Sequence, residues 1–498
     1  MRDALRRRLH PTVPGEIDVA PTVPAASPLS VRTANLDRVV AALEAAGVPY
    51  FRVPPLQWQS SVLGVPEAHR APVERVLAGL AAAGATVAPV EGATAVYWPV
   101  TDPGRRLLFG AEQACEVEFW RAEPDRLVAP RFNLSTDVLL HTDAEVEADE
   151  SAFGDFHAQE GGARYRTRQP FLVPPLEHVD FPIDVVYTWV DGADPAWVAR
   201  KNAALAENGW VGQNEEAANA SRYLSRDELR YSLRSLHAYA PWVRNVFLVT
   251  DDQVPAWLNT EHPRVTVLSH KEIFGSAGKL PTFNSMAIET RLHHIDGLSE
   301  QFIYINDDVF LGQALLPGFF FTASGQTRVY LSRIRVDCGP VTADEPPVMS
   351  AGKNNRAVIE KEFGRFLAFK IKHTPHAARR SVLAEIEAKY PELLAVTASH
   401  QFRHPDDISL TSSLQQHWSY LTGRAVLGDV QYMYRDLADP LTPKRLANAL
   451  RKRHHQLFCL NDTKSGEISA EAQATMLTDF LTAYYPFPSP FELSDQGA

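Results

Sequence analysis

Residues 181–190, FPIDVVYTWV, form a continuous apolar, β-branched run that narrows the folds open to this chain. A strand with one wet face alternates polar and apolar residues. A strand apolar at nearly every position is buried on both faces, as in a parallel sheet covered by helices. VRNVFLVT, RVTVLS and QFIYIN read as further strands, and 226–239 (RDELRYSLRSLHAY) as a helix with Ser225 at its N-cap. Strands alternating with helices indicate an α/β sheet with crossover helices. Further helices are expected at 375–395 and 468–484.

The first part of the chain reads differently. Residues 1–30 are rich in Pro, Ala and Arg without periodicity, as in a loose tail. LDRVVAALEAAG (36–47) and PVERVLAGLAAAG (72–84) each show helical spacing and end in glycine. VPYFRV, ATVAPV, AVYWPV, RRLLFG and CEVEFW are β-rich runs. Residues 31–140 are therefore expected to form a small α+β domain, which carries no catalytic constellation. Residues 141–180 are polar and acidic and suit a linker. Residues 181–493 form the α/β domain.

Composition excludes several classes. A formal net charge of −11 over 498 residues argues against a nucleic-acid binder, although a local basic cluster can still hold a small anion. Three separated cysteines, Cys115, Cys338 and Cys459, exclude a disulfide framework and a Cys-type zinc site and fit a reducing compartment. No apolar run approaches the roughly 20 residues of a membrane span. The basic N-terminus lacks the apolar stretch of a signal peptide. A soluble, cytoplasmic protein is expected, with peripheral membrane attachment left open.

Four segments carry chemistry. The run at 183–197 ends in Asp191-Gly192 and Asp194-Pro195, with Trp189 beside them. In an open α/β sheet ligands bind beyond the carboxyl ends of the strands, so these residues stand at a site rim; Asp-Gly and Asp-Pro also form ordinary turns. In the second, spanning 221–308, Asn306, Asp307 and Asp308 end an apolar strand, where adjacent carboxylates can hold Mg²⁺ or Mn²⁺ and neutralise a diphosphate. Asp251-Asp252 also follows a strand but enters a Pro-containing loop and reads as a turn. The third segment holds His373, His376, His400, His404 and His417 with Arg403 and Asp406-Asp407, which favours a general base; the spacing does not match HExxH. The fourth has Asn461-Asp462 after a short apolar run. Upstream of it lies the basic helix PKRLANALRKRHHQ, which reads either as a solvated face or as a patch for an anionic substrate or membrane surface.

In this order the segments resemble the four regions of the Stealth family, which comprises bacterial capsule and exopolysaccharide phosphotransferases and the animal lysosomal-enzyme N-acetylglucosamine-1-phosphotransferase. IDVVYTWVDGAD is similar to the first region. RDELRYSLRSLHAYAPWVRNVFLVTDDQVPAWL, LPTFNSMAIE and FIYINDDVFLG are similar to the second. HTPH through SHQFRHPDD resembles the third, and CLNDT through YPFPSPFEL the fourth. The resemblance implies a nucleotide-sugar-transferase-like sheet. It also implies transfer of a sugar-1-phosphate from a UDP-sugar to a polysaccharide or oligosaccharide hydroxyl, with release of UMP.

By the same resemblance His400, Asp307, Asp308 and Arg403 are catalytic, and Asp307, Asp308 and Asp462 hold the metal, Mg²⁺ or Mn²⁺. Asp184, Trp189, Asp191 and Asp194 of the first region, with Arg222, Lys279 and Asn306 of the second, contact substrate. Position 191 is Asp where many members carry Asn, which adds a carboxylate able to ligate metal. Two alternatives stand beside this reading: a conventional glycosyltransferase that releases UDP, and a non-catalytic polysaccharide-binding protein.

Overall fold

The computed structural model describes residues 15–156, 163–208, 223, 225–462 and 468–493. The chain divides into two compact units. The first holds Met1–His178 with His237–Trp242 and Ala483–Ser489; the second holds the remainder from Val179 onward. Among the described residues no helix is long and apolar enough to cross a membrane.

The first unit is built on a mixed sheet. Its strands are β1 (Phe51–Val53), β2 (Ser61–Pro66), β3 (Thr86–Val90), β4 (Ala93–Tyr97), β5 (Cys115–Ala122), β6 (Arg126–Val128), β7 (Val138–Leu140), β8 (Glu145–Asp149) and β9 (Arg164–Arg168). The main path runs β8-β9-β1-β2-β5-β4-β3. Helices α1 (Pro28–Ala45) and α2 (Arg70–Ala82) supply Leu36, Val39, Leu43, Val73 and Leu77 to its core.

Two expectations are corrected here. The tail does not extend to residue 30. Helix α1 starts at Pro28, with Ser27 and Ser30 capping each other and proline at the first helical position, a start signal concealed by the Pro- and Ala-rich composition. Nor is 141–180 a linker, because it contributes β8 and β9. In their antiparallel register Glu145 faces Arg168, Glu147 faces Arg166 and Asp149 faces Arg164, so an acidic strand matches a basic one. Glu150 follows and accepts from the fully buried Arg52 at 3.0 Å and from Arg32 at 2.8 Å. A charge-rich composition suggested solvent; cross-strand complementarity makes it a sheet edge.

The second unit contains the α/β sheet. Strands β10 (Ile183–Thr188), β11 (Val246–Thr250), β12 (Val265–Ser269) and β13 (Gln301–Asn306) are parallel, in the order β12-β11-β10-β13. Every residue of β10 and β11 is buried, as the unbroken apolar runs require. The first strand lies inside the sheet, with β11 and β12 on one side and β13 on the other. The chain therefore reverses its direction of travel between β10 and β13, and the carboxyl ends of these two strands flank the crevice where such sheets bind ligands.

After β13 the chain turns at Asp307-Asp308 into β14 (Val309–Leu311). An antiparallel edge strand, β15 (His376–Arg379), closes the sheet beside β13. Its presence corrects the helix expected over 375–395: helices α5 (Arg380–Lys389) and α6 (Pro391–Ser399) begin only after it. Strand β14 pairs with a second small sheet, in which β16 (Tyr432–Asp436) and β17 (Leu457–Asn461) run parallel. Helix α3 (Pro195–Glu207) follows β10, and the helix read over 226–239 is α4 (Glu228–Tyr239). Its entry residue is Asp227 at φ 63°, and the Ser225 hydroxyl accepts from Trp189 instead of capping it.

His376 on β15 is 4% exposed and opposite Tyr304, and neither ring nitrogen has a hydrogen-bond partner among the described residues. Burial, helped by His373, depresses its pKa to about 3. Its unfolded-state pKa is ~6.5, so between those values the unfolded chain binds a proton that the folded chain refuses, and stability falls with falling pH. His376→Leu should remove this slope. In urea melts, wild type should lose about 1 kcal/mol more than the variant between pH 6 and pH 5; parallel losses would contradict it.

Candidate active site

The carboxyl edge of the sheet gathers acidic groups from three strand ends. The most loaded is Asp307-Asp308. Asp308 Oδ1 lies 3.2 Å from His373 Nε2, and its Oδ2 accepts from Asn461 Nδ2 at 2.6 Å and from the Cys459 thiol at 3.3 Å. Strand geometry delivers these partners. Cys459 and Asn461 are two residues apart on β17 and so point to the same face, and the Leu460 N–H donates to the Asp308 carbonyl. The Tyr432 hydroxyl of β16 donates to the His373 carbonyl at 2.6 Å and holds that loop in place.

The two carboxyls are driven apart electrostatically. Burial alone would raise Asp308, but His373, Cys459 and Asn461 outweigh it and hold the group below its ordinary range. Asp307 is pushed well above its ordinary value by burial, by Asp308 and by Glu228. Burial works against charge on His373, yet Asp308 overcomes it and raises the imidazole. Asp462 does not sit alone as a ligand: its Oδ2 accepts from Arg226 at 2.9 Å.

A divalent cation would relieve the repulsion among Asp307, Asp308 and Glu228. His373, Cys459 and Asp308 also bring one donor atom each within 4.8 Å of one another. That mixed set is softer than the all-oxygen shell Mg²⁺ prefers.

The second element of the site is a dyad. His400 follows α6, and its Nδ1 lies 2.7 Å from Asp407 Oδ1. Asp407 is fully buried, and its Oδ2 accepts from Asn284 Nδ2 and from the His404 N–H, each at 2.8 Å. A carboxylate so fixed accepts a hydrogen bond from Nδ1–H and leaves the lone pair on Nε2. Arg403 donates to Ser285 at 2.9 Å. Burial lowers its pKa, while Tyr223, Glu289 and Asp407 favour its charge. Glu289 is itself bonded by the Ser412 amide and hydroxyl at 3.0 and 2.7 Å. Arg403 also disfavours charge on His373, the partner of Asp308, so it acts on residues of both elements.

The substrate-contact expectations fare unevenly. Asn306 ends β13 in register with Thr188 of β10. Trp189 is 8% exposed with its indole N–H on Ser225, so it lines the crevice without projecting. Asp191 and Asp194 serve the local fold: Asp191 Oδ1 accepts from Ala193, and Asp194 caps helix Pro195–Glu207 while also accepting from Gln253. Lys279 is half exposed, and its backbone N–H donates to the Ala398 carbonyl, two residues before His400. Arg222 lies outside the described residues.

Asp184 is a correction. It is 0% exposed near the start of β10, at the far end from the crevice, and it is consumed by Arg244 and by the Ser299 and Asn245 N–H groups. Glu228 is the residue that sequence reading passed over. His373, Asp407 and Asn461 stand out with their segments in the sequence but without these roles, and Cys459 reads there only as an isolated cysteine.

The chain matches the descriptions "Stealth protein CR1, conserved region 1" over residues 181–209, CR2 over 222–329, CR3 over 372–420 and CR4 over 448–498. Exopolysaccharide phosphotransferase SCO6023 of Streptomyces coelicolor is 46% identical over 96% of this chain and 85% of its own length. The chain belongs to the Stealth family. With that membership it is an enzyme, a phosphotransferase.

Exopolysaccharide phosphotransferase SCO2594 of the same organism is 44% identical over 95% of this chain and 86% of its own length. The CpsY protein of Mycobacterium tuberculosis is 34% identical over 77% and 70%. Among solved structures, a galactosyltransferase, LgtC, with donor and acceptor sugar analogues covers 63% of this chain and 98% of its own at 9% identity and a TM-score of 0.33. A likeness that loose adds nothing to the strand order already described. The Stealth regions bring together what the structure joins: β10 comes from the first, Asp307-Asp308 from the second, His373 and the His400 dyad from the third, and Asn461 from the fourth.

Asp184→Ala separates a structural from a substrate role. Two N–H groups and Arg244 would lose their acceptor, a cost of about 3–5 kcal/mol for breaking a buried pair. Denaturant melts should show that loss with turnover per folded molecule near wild type; full stability with lost turnover would restore the substrate assignment.

Proposed function

We propose that the chain transfers a sugar-1-phosphate from a UDP-sugar to a hydroxyl of a polysaccharide or oligosaccharide, releasing UMP. The observation that carries this reading is the Asp407–His400 dyad, with Oδ1 2.7 Å from Nδ1, in the unit whose strand end carries Asp308 beside His373 and Asn461. A base and charge-handling groups are what phosphoryl transfer to a hydroxyl requires. The family relatives named as exopolysaccharide phosphotransferases support the same reading.

His400 Nε2 accepts the proton of the acceptor hydroxyl as its oxygen attacks the phosphorus that carries the sugar. The bond from that phosphorus to the bridging oxygen breaks, and UMP leaves with the electron pair. Asp407 holds the imidazole in the tautomer this step needs and stabilises the imidazolium that forms. Arg403, held by Ser285, offsets charge on the phosphoryl oxygens. Asp307 and Asp308 are the residues that would hold Mg²⁺ or Mn²⁺, which when bound supplies neutralisation of the diphosphate. The free cysteines suit a reducing compartment, where nucleotide sugars serve as donors.

His400→Ala should lower kcat by about 10²–10⁴-fold, and Asp407→Asn by a similar factor through loss of the correct tautomer, with melting temperatures little changed. Near-normal kcat in folded His400→Ala would remove it as the base.

The product and the cation are tested together. Incubation with a UDP-sugar, a glycan acceptor and Mg²⁺ or Mn²⁺ should yield UMP, and EDTA should abolish turnover. UDP as the product would make the enzyme a conventional glycosyltransferase, and full activity in EDTA would refute the metal role.

A further inference from the structure

The second unit carries a cationic face that the reaction does not use. Helix α7 (Thr442–Lys452) connects the parallel strands β16 and β17, so it runs antiparallel to them. Its start therefore lies towards the strand ends that carry Asn461 and Asp462 to the site, and its end lies away from them. Residues 442–455 hold Lys444, Arg445, Arg451, Lys452 and Arg453 and no acidic residue, in a chain of net charge −11.

Thr442, Leu446 and Ala449 are buried. Lys444, Arg451 and Lys452 are exposed and stand at i, i+7 and i+8, one line along the opposite face. Arg445 is paired with Asp439 at 2.9 Å. Among the described residues Lys444, Arg451 and Lys452 have no carboxylate partner within ion-pair distance. The exposed line thus extends roughly 12 Å at 1.5 Å per residue, beginning at the site end.

We propose that this face binds a polyanionic phosphodiester glycan, the acceptor chain lengthened by earlier transfers. The inference rests on the sugar-1-phosphate reading: each such transfer leaves a phosphodiester with a permanent negative charge, and repeated transfer makes a polyanion. An acidic protein repels such a chain unless a local cationic track offsets the field. A glycan suits the face better than a lipid bilayer does. A helix that lies in a membrane interface needs a free apolar face, whereas the apolar side of α7 is buried in the protein and the exposed line is Lys444, Ala447, Arg451 and Lys452.

The test is binding of the full chain to poly(glycerol phosphate), with neutral dextran and phosphatidylglycerol vesicles as comparisons. Wild type should bind the phosphodiester polymer and ignore dextran, with affinity falling about 20-fold between roughly 50 and 200 mM salt for three phosphate contacts. Lys444→Gln/Arg451→Gln/Lys452→Gln should bind about tenfold more weakly at low salt, while Lys444→Arg/Arg451→Lys/Lys452→Arg keeps wild-type affinity. Turnover on a short neutral acceptor should be the same in all three proteins. Equal polymer binding by the glutamine variant would overturn the proposal, as would stronger wild-type binding to the vesicles than to the polymer. The binding assay contains no nucleotide sugar, so failure to release UMP would remove the transfer reading without being mistaken for failure of this one.

Discussion

Two carboxyl groups on consecutive residues, at the end of a buried strand, are the constraint around which the second unit is arranged. Water cannot screen them fully, and side by side they cannot both ionise without help. The chain answers by treating them differently. Asp308 receives an imidazole, an amide and a thiol and is held ionised, whereas Asp307 is left against Asp308 and Glu228 and pushed up. The partners come from the loop before β15, from β17 and from the start of the helix at Glu228. The pairing of β14 with β17 and the packing of the His373 loop are thus tied to the electrostatics of two residues.

The same logic of one fixed and one available group recurs at the dyad. Asp407 has no exposure, and its two oxygens are engaged by three groups, from His400 and His404 of its own loop and from the distant Asn284, so it cannot drift. What it fixes is a single ring nitrogen, which leaves the other for proton transfer. Arg403, bonded to Ser285, is influenced by Glu289 and Asp407 and acts on His373. Charge throughout the site is held by neighbours in short steps, so loss of one partner would be felt at the next.

Charge is distributed on a larger scale too. The protein as a whole is acidic, yet the face of α7 is purely basic, and the edge strands of the first unit pair acid against base, residue by residue. These are different uses of the same side chains. In β8 and β9 opposite charges lie across from each other and satisfy the edge; on α7 the exposed cations point away from the protein and leave their charge to a partner.

Much was legible in the sequence. The apolar runs at 183–188, 246–250 and 301–306 could be nothing but strands buried on both faces, and acids at their ends mark the ligand side of a parallel sheet. The four-region pattern named the family. Strand pairing was not legible, because it joins residues far apart in the chain. Nothing local says that Glu145 will face Arg168, that Cys459 and Asn461 will reach Asp308, or that Asp407 rather than a solvent molecule will hold His400. Asp184 shows the converse: an acid in a functional motif, at the wrong end of its strand, becomes a buried anchor for Arg244. Sequence determined which segments are strands and which residue types stand at their ends, since period and burial are local properties. Only tertiary structure decided which of those residues meet, since register and loop packing set distances that no local pattern contains.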